Sequence, residues 1–133
     1  MHIVILQRRP EDKDGILEAV NKICPEYLMD IHIFTHLSDA KDAIKTEGGL
    51  FKKKKKKDVV VITSAILGDV SGDIITKKIL KWNEHTKIYS FTTSPESFKK
   101  TKRLSGTFKK RKYDKEHYEA VVQAIKKWEE EKK

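Results

Sequence analysis

Few residues in this 133-residue chain have the chemistry to form a reactive site. Five histidines (His2, His32, His36, His85, His117), one cysteine (Cys24) and two dense basic stretches stand out. A histidine metal site needs ligands that converge. Only His32 and His36 are close in sequence, and on a strand and its exit that spacing points them apart. Cys24 on its own makes neither an internal disulfide nor a cysteine-based zinc site. No G-x-S-x-G elbow is present, and no nucleophile sits beside a base. The first apolar run is followed by QRRPEDKDG, which contains no dinucleotide glycine fingerprint and no small hydroxylated run for a flavin phosphate. A Walker-type glycine and lysine loop is also missing. The expectation is a non-enzymatic chain with no metal and no cofactor.

Charge is the more informative signal. Lys and Arg number 29 against 20 Asp and Glu, for a net +9, and 37% of residues are charged, well above the roughly 25% of an average soluble domain. The excess lies in two places. Lys52, Lys53, Lys54, Lys55, Lys56 and Lys57 form one run, placed in a basic loop over 50–58. The stretch from Lys99 to Lys112, which includes Lys100, Lys102 and Arg103, holds eight bases and no acid. A lysine run is either a self-repelling solvated loop or a contact for phosphate or an acidic partner. No run of about 18 apolar residues can span a bilayer, and charges follow the first apolar stretch too soon for a signal peptide. A cytoplasmic protein with no membrane contact is expected.

The elements that must position these residues alternate. Strands are read at His2–Leu6, Tyr27–Phe34, Asp58–Ile62, Lys87–Phe91 and Thr107–Lys110, the third being the most apolar and so central. Met29, Ile31 and Ile33 are assigned to one face of the second strand, opposite Asp30 and His32. Helices are read over Asp12–Cys24, after a Ser38 cap up to Gly48 and Gly49, around Ile75, Ile79 and Trp82, after Ser94 and Pro95, and from an Asp114 cap through Trp128. The stretch through Gly68 and Gly72 is read as loop, and 129–133 as a frayed tail. Strict alternation in one domain over 1–133 predicts an α/β, flavodoxin-like three-layer sandwich. Its five-stranded parallel sheet has order 2-1-3-4-5 and right-handed crossovers. Function in such folds gathers at the carboxyl ends of the strands.

The element order, the length, and the stretches DVVVITSAILGDVSGD and KIYSFTTSP resemble a CheY-like response-regulator receiver domain, over nearly the whole chain. Receivers place two acids after the first strand and an aspartate at the end of the third, which hold magnesium and accept a phosphoryl group. A hydroxyl after the fourth strand and a lysine after the fifth contact the added oxygens. By position the acid pair falls on Gln7 and Arg8, the phosphoacceptor on Thr63, the hydroxyl on Thr92 and the lysine on Lys110 or its neighbour Lys109. None of the first three is acidic, so the local charge moves from about −2 to about +1 and repels a cation. Thr63 without a base does not replace an aspartyl nucleophile. Asp69 and Asp73 are the acids nearest to restoring a metal site, and as loop acids they equally serve as caps or turn formers.

The resemblance therefore implies a degenerate receiver, or pseudo-receiver, that works in signalling as a protein-interaction module without phosphorylation. Its expected partner presents an acidic surface to the Lys99 to Lys112 region, and a homodimer through the same face is compatible with it. Tyr113 is either a coupling residue between that face and the vestigial pocket or a packed aromatic. The alternative, from a different class, is weak non-specific contact with nucleic acid or another polyanion through the two basic patches.

Overall fold

The apolar runs HIVIL, VVVIT and KIYSFT fill the middle of one sheet because their faces cannot be left in water, and the strands IHIF and GTFK form its edges. The computed structural model describes residues 1–45, 58–64, 66–67, 70–92, 104–109 and 115–131. In chain order the elements are β1 (His2–Leu6), α1 (Pro10–Ile23), β2 (Ile31–Phe34), α2 (Lys41–Ile44), β3 (Val59–Thr63), β4 (Ile66–Leu67), β5 (Val70–Ser71), α3 (Gly72–Trp82), β6 (Lys87–Thr92), β7 (Gly106–Lys109) and α4 (Lys115–Glu131). The main sheet runs β2-β1-β3-β6-β7 with every adjacent pair parallel. Counting its strands alone, this is the expected order 2-1-3-4-5.

Alternation along the strands divides the core in two. Ile3, Ile5, Val60 and Ile62 pack on one face with Ile16 and Val20 of α1 and Val121 and Ile125 of α4. Val4, Leu6, Val61 and Ile88 pack on the other with Ile44 of α2 and Ile75 and Ile79 of α3. All five residues of β3 are buried, as its composition predicts. Asn83, which ends α3, donates from Nδ2 to the Ile44 carbonyl at 3.1 Å and so ties the ends of α3 and α2 together. Among the described residues, no helix is long and apolar enough to cross a membrane.

Several sequence-based boundaries move. Pro10 opens α1 two residues before the expected start, in the first turn where its missing N–H costs nothing. Cys24 lies just past the helix as its cap, donating its N–H to the Val20 carbonyl at 2.8 Å. Pro25 then sets a 3-10 turn over Pro25–Asp30, so β2 begins only at Ile31. Met29, assigned to the same strand face as Ile31 and Ile33, instead lies in that turn and is 92% exposed, and Ile33 is also exposed. Ser38 sits inside a 3-10 turn over Leu37–Ala40 and caps nothing, while α2 is a single turn. The loop expected before α3 contains the antiparallel hairpin β4–β5, and Gly72 is the first residue of α3. Strands β3 and β6 each run one residue further, to Thr63 and Thr92. Strand β7 begins one residue earlier, at Gly106. Helix α4 continues through Glu131, into the stretch expected to fray. The Gly48 and Gly49 stop, the Ser94 helix start and the Asp114 cap lie outside the described residues.

The seam between α1 and α4 is keyed by a polar pair. Asp12, on the buried stripe of α1, is only 3% exposed, and the Tyr118 hydroxyl of α4 donates to its Oδ1 at 2.8 Å. The Tyr118 ring stands 5.3 Å from that of Phe91 and lies directly over Gly15. A Cβ added at Gly15 would sit 2.6 Å from Tyr118 Cε2 and 2.7 Å from Cδ2. Burial, followed by the hydrogen bond to Asp12, pushes the Tyr118 phenol far above its ordinary value of 10.0. Burial also raises Tyr27 and Tyr89.

Two outcomes are expected from this seam. Gly15→Ala gains about 1 kcal/mol of helix propensity and loses about 1 to 3 kcal/mol to overpacking against a ring held on two sides. The variant should therefore be no more stable than the parent in urea denaturation, and a gain in stability would contradict the packing. Tyr118→Phe should cost about 1.5 to 3 kcal/mol by removing a donor from a buried carboxylate. A phenol whose folded pKa is raised stabilises the fold at pH values below its unfolded pKa, and this stability is lost as pH rises through the folded value. The parent should thus lose stability above about pH 10, and Tyr118→Phe should lose less over the same range. Equal slopes for the two proteins would show that Tyr118 is not the group responsible.

Candidate functional site: the carboxyl edge of the sheet

The parallel strands bring the loops after β1, β3 and β6 to one edge, where the register sets their spacing. Leu6 is the partner of Thr63, Thr63 of Ser90, and Thr92 of Lys109. Beyond the last pair of β1 and β3, the Ser64 N–H donates to the Leu6 carbonyl at 3.0 Å, so Gln7 and Ser64 emerge side by side. Gln7 is fully buried, as are Thr63 and, nearly so, Thr92 and Ser64. Arg8 and Arg9 leave the edge into solvent. The Thr63 hydroxyl donates to the Ser64 carbonyl at 3.0 Å, a backbone oxygen that is no base to take its proton. Lys13 reaches from the first turn of α1 to the Thr35 hydroxyl at 2.8 Å, joining that helix to the exit of β2.

The structure therefore gathers four of the positions singled out in the sequence: Gln7, Arg8, Thr63 and Thr92. Lys109 ends β7 beside Thr92, whereas Lys110, Asp69 and Tyr113 lie outside the described residues. The basic patch residues Lys52 to Lys57, Lys99, Lys100, Lys102 and Arg103 lie outside them as well. Asp73 is a residue of the first turn of α3, where its carboxylate complements the helix dipole.

A receiver fold implies a divalent cation at this edge, and the residues described there do not fit one. A hard cation takes oxygen ligands and favours carboxylates. Here the positions supply an amide, a guanidinium and a neutral threonine hydroxyl, with no carboxylate among them. Of the acids in the first turn of α1, Glu11 is exposed and Asp12 is engaged by Tyr118 in the seam with α4. Among the described residues, no three His, Cys, Asp or Glu side chains are grouped to hold a metal. Cys24 is fully buried, and desolvation pushes its thiol up to about 11, so at neutral pH it carries no thiolate. His2 and His32 face each other with ring centroids 5.6 Å apart at the opposite edge, away from His36.

Sequence reasoning missed Ser64, Lys13 and the Asp12 and Tyr118 pair. The signal for Asp12 was available. It stands four and eight residues before Ile16 and Val20, on the same helix face, and a carboxylate on an apolar stripe needs a buried donor.

No family model matches the sequence, and no curated protein matches it. Solved structures do match. The phosphorylated cyanobacterial phytochrome response regulator RcpA is 12% identical with a TM-score of 0.66, over 96% of this chain and 94% of that one. The Mn2+-bound form of the response regulator Rcp1 is 12% identical with a TM-score of 0.68, over 95% and 92%. The signal receiver domain of an HD domain-containing protein from Pseudomonas fluorescens is 16% identical with a TM-score of 0.64, over 98% and 90%. Strand order, two-sided core and these likenesses agree: the chain has the fold of a CheY-like response-regulator receiver domain.

Proposed function

We propose that this chain is a pseudo-receiver, a signalling module that uses the receiver fold for protein interaction and does not accept a phosphoryl group. The observation that carries the reading is the charge at the carboxyl edge. Buried neutral Gln7, solvated Arg8 and a locally bonded Thr63 hydroxyl stand where the chemistry requires three carboxylates. Each substitution acts in the same direction. Removing an acid weakens attraction for the cation, adding a guanidinium repels it, and replacing the aspartyl nucleophile leaves nothing to form an acyl phosphate. RcpA is described as phosphorylated and Rcp1 as Mn2+-bound, and the reading holds that neither state is open to this chain.

Without a phosphoryl switch, output must come from a surface that is always presented. The acid-free segment from Lys99 to Lys112 gives that surface its sign, and the partner we propose is a protein with an acidic face, in the cytoplasm. A second copy of this chain is the other partner consistent with that region.

The test is a titration with magnesium and beryllium fluoride, followed by the fluorescence of Trp82 and Trp128 and by amide shifts around Thr63, Thr92 and Lys110. No saturable response is expected. A saturable, magnesium-dependent response would overturn the reading and would show that Asp69 or another carboxylate has rebuilt the site.

A further inference from the structure

The opposite edge of the sheet carries a separate cavity. An open groove of about 720 Å³ lies between the amino ends of β6 and β7 and the C-terminal half of α4. Its floor is aromatic. The Tyr89 and Phe108 rings stand with centroids 6.2 Å apart and planes tilted by 40°. Trp128 forms the wall on α4, and the Lys87 ammonium sits 5.6 Å from its ring centroid. Gly106 makes the floor possible. A Cβ there would lie 3.0 Å from both Phe108 Cε2 and Tyr89 Cδ1, so a side chain would press on both rings.

The lining pairs this aromatic surface with a few charges. Lys87 and Lys127 are cationic, and Glu131 is the one carboxylate among the described residues that line the groove. The volume falls within the roughly 300 to 1,000 Å³ of small-molecule sites, which combine apolar walls with a few placed polar groups. Flat aromatic walls select a planar ring by stacking. Two ammonium groups against one carboxylate select a ligand with net negative charge.

We propose that this groove binds a small planar heteroaromatic ring that carries an anionic group, the chemistry of a nucleoside monophosphate. The ring lies against Trp128 and Phe108, the anion pairs with Lys87 and Lys127, and Glu131 accepts from an exocyclic amino N–H on the ring. The groove shares no residue with the carboxyl edge, so the proposal is independent of whether phosphoryl chemistry is lost there, although Leu104, Ser105 and Phe108 lie within the Lys99 to Lys112 segment assigned to the partner surface.

The probe is adenosine 5′-monophosphate, titrated into the full chain while the Trp128 and Trp82 indole N–H resonances are followed separately. Saturable movement of the Trp128 signal with Trp82 unmoved is expected, and adenosine and inorganic phosphate should each bind at least about tenfold more weakly. Lys127→Glu, at an exposed position, should weaken the nucleotide roughly tenfold and leave adenosine unchanged. Ser105→Trp, at the exposed mouth, should abolish binding while circular dichroism and thermal stability stay as in the parent. The proposal is overturned if Trp128 does not move, if inorganic phosphate binds as well as the nucleotide, or if a folded Ser105→Trp protein binds unchanged. The second of these would assign the effect to general attraction by the lysine-rich segments.

Discussion

The structure depends on one constraint: the third strand of the main sheet cannot be left in contact with water on either face. Val59, Val60, Val61 and Ile62 alternate across the sheet and are all buried. Each such side chain is worth about 1.5 to 3 kcal/mol when removed from water. Burying both faces at once requires a layer of helices above and below, and parallel neighbours require crossovers long enough to supply them. Helices α1 and α4 cover one face, and α2 and α3 the other. Because the crossovers run one way, the loops after β1, β3 and β6 are forced together at a single edge. A candidate site at Gln7, Thr63 and Thr92 is thus a consequence of core burial before any chemistry is considered.

What that edge can do is set by charge. The same backbone arrangement that brings acids together in a cation site here brings together an amide, a guanidinium and hydroxyls. Packing tolerates the change, since Gln7 and Thr63 are completely buried without disturbing the register of β1 on β3. Fold and chemistry are therefore separable at this edge, as fold alone does not fix function. The polar pair of Asp12 and Tyr118 is the counterpart in the interior. A carboxylate close to the site is committed to holding α1 against α4.

Much of this was legible from the residues. Long apolar runs such as HIVIL and DVVVI identify buried parallel strands, and their alternation with helical stripes fixes sheet order and the edge where the loops meet. Local backbone competition was less legible. Pro25 favours a 3-10 turn, which displaced the start of the second strand and left Met29 in solvent. The β4–β5 hairpin is two residues on each side, too short for any periodicity to register. Side-chain pairing between distant elements was the least legible. Tyr118 fitted the apolar stripe of its helix, and only the three-dimensional approach of Gly15 and Asp12 shows why a tyrosine stands there. The positions of Gln7, Arg8, Thr63 and Thr92 came by position from the resemblance to receiver domains, and they fall at the carboxyl ends of β1, β3 and β6.

The central claim, that the receiver fold is retained here without its phosphoryl chemistry, is tested most directly by covalent mass. The full chain is incubated with magnesium and a small phosphodonor such as acetyl phosphate or phosphoramidate, and its intact mass is measured with and without brief alkaline treatment. The account predicts an unchanged mass at all donor concentrations. A magnesium-dependent gain of one phosphoryl group, lost in alkali as an acyl phosphate is, would contradict it.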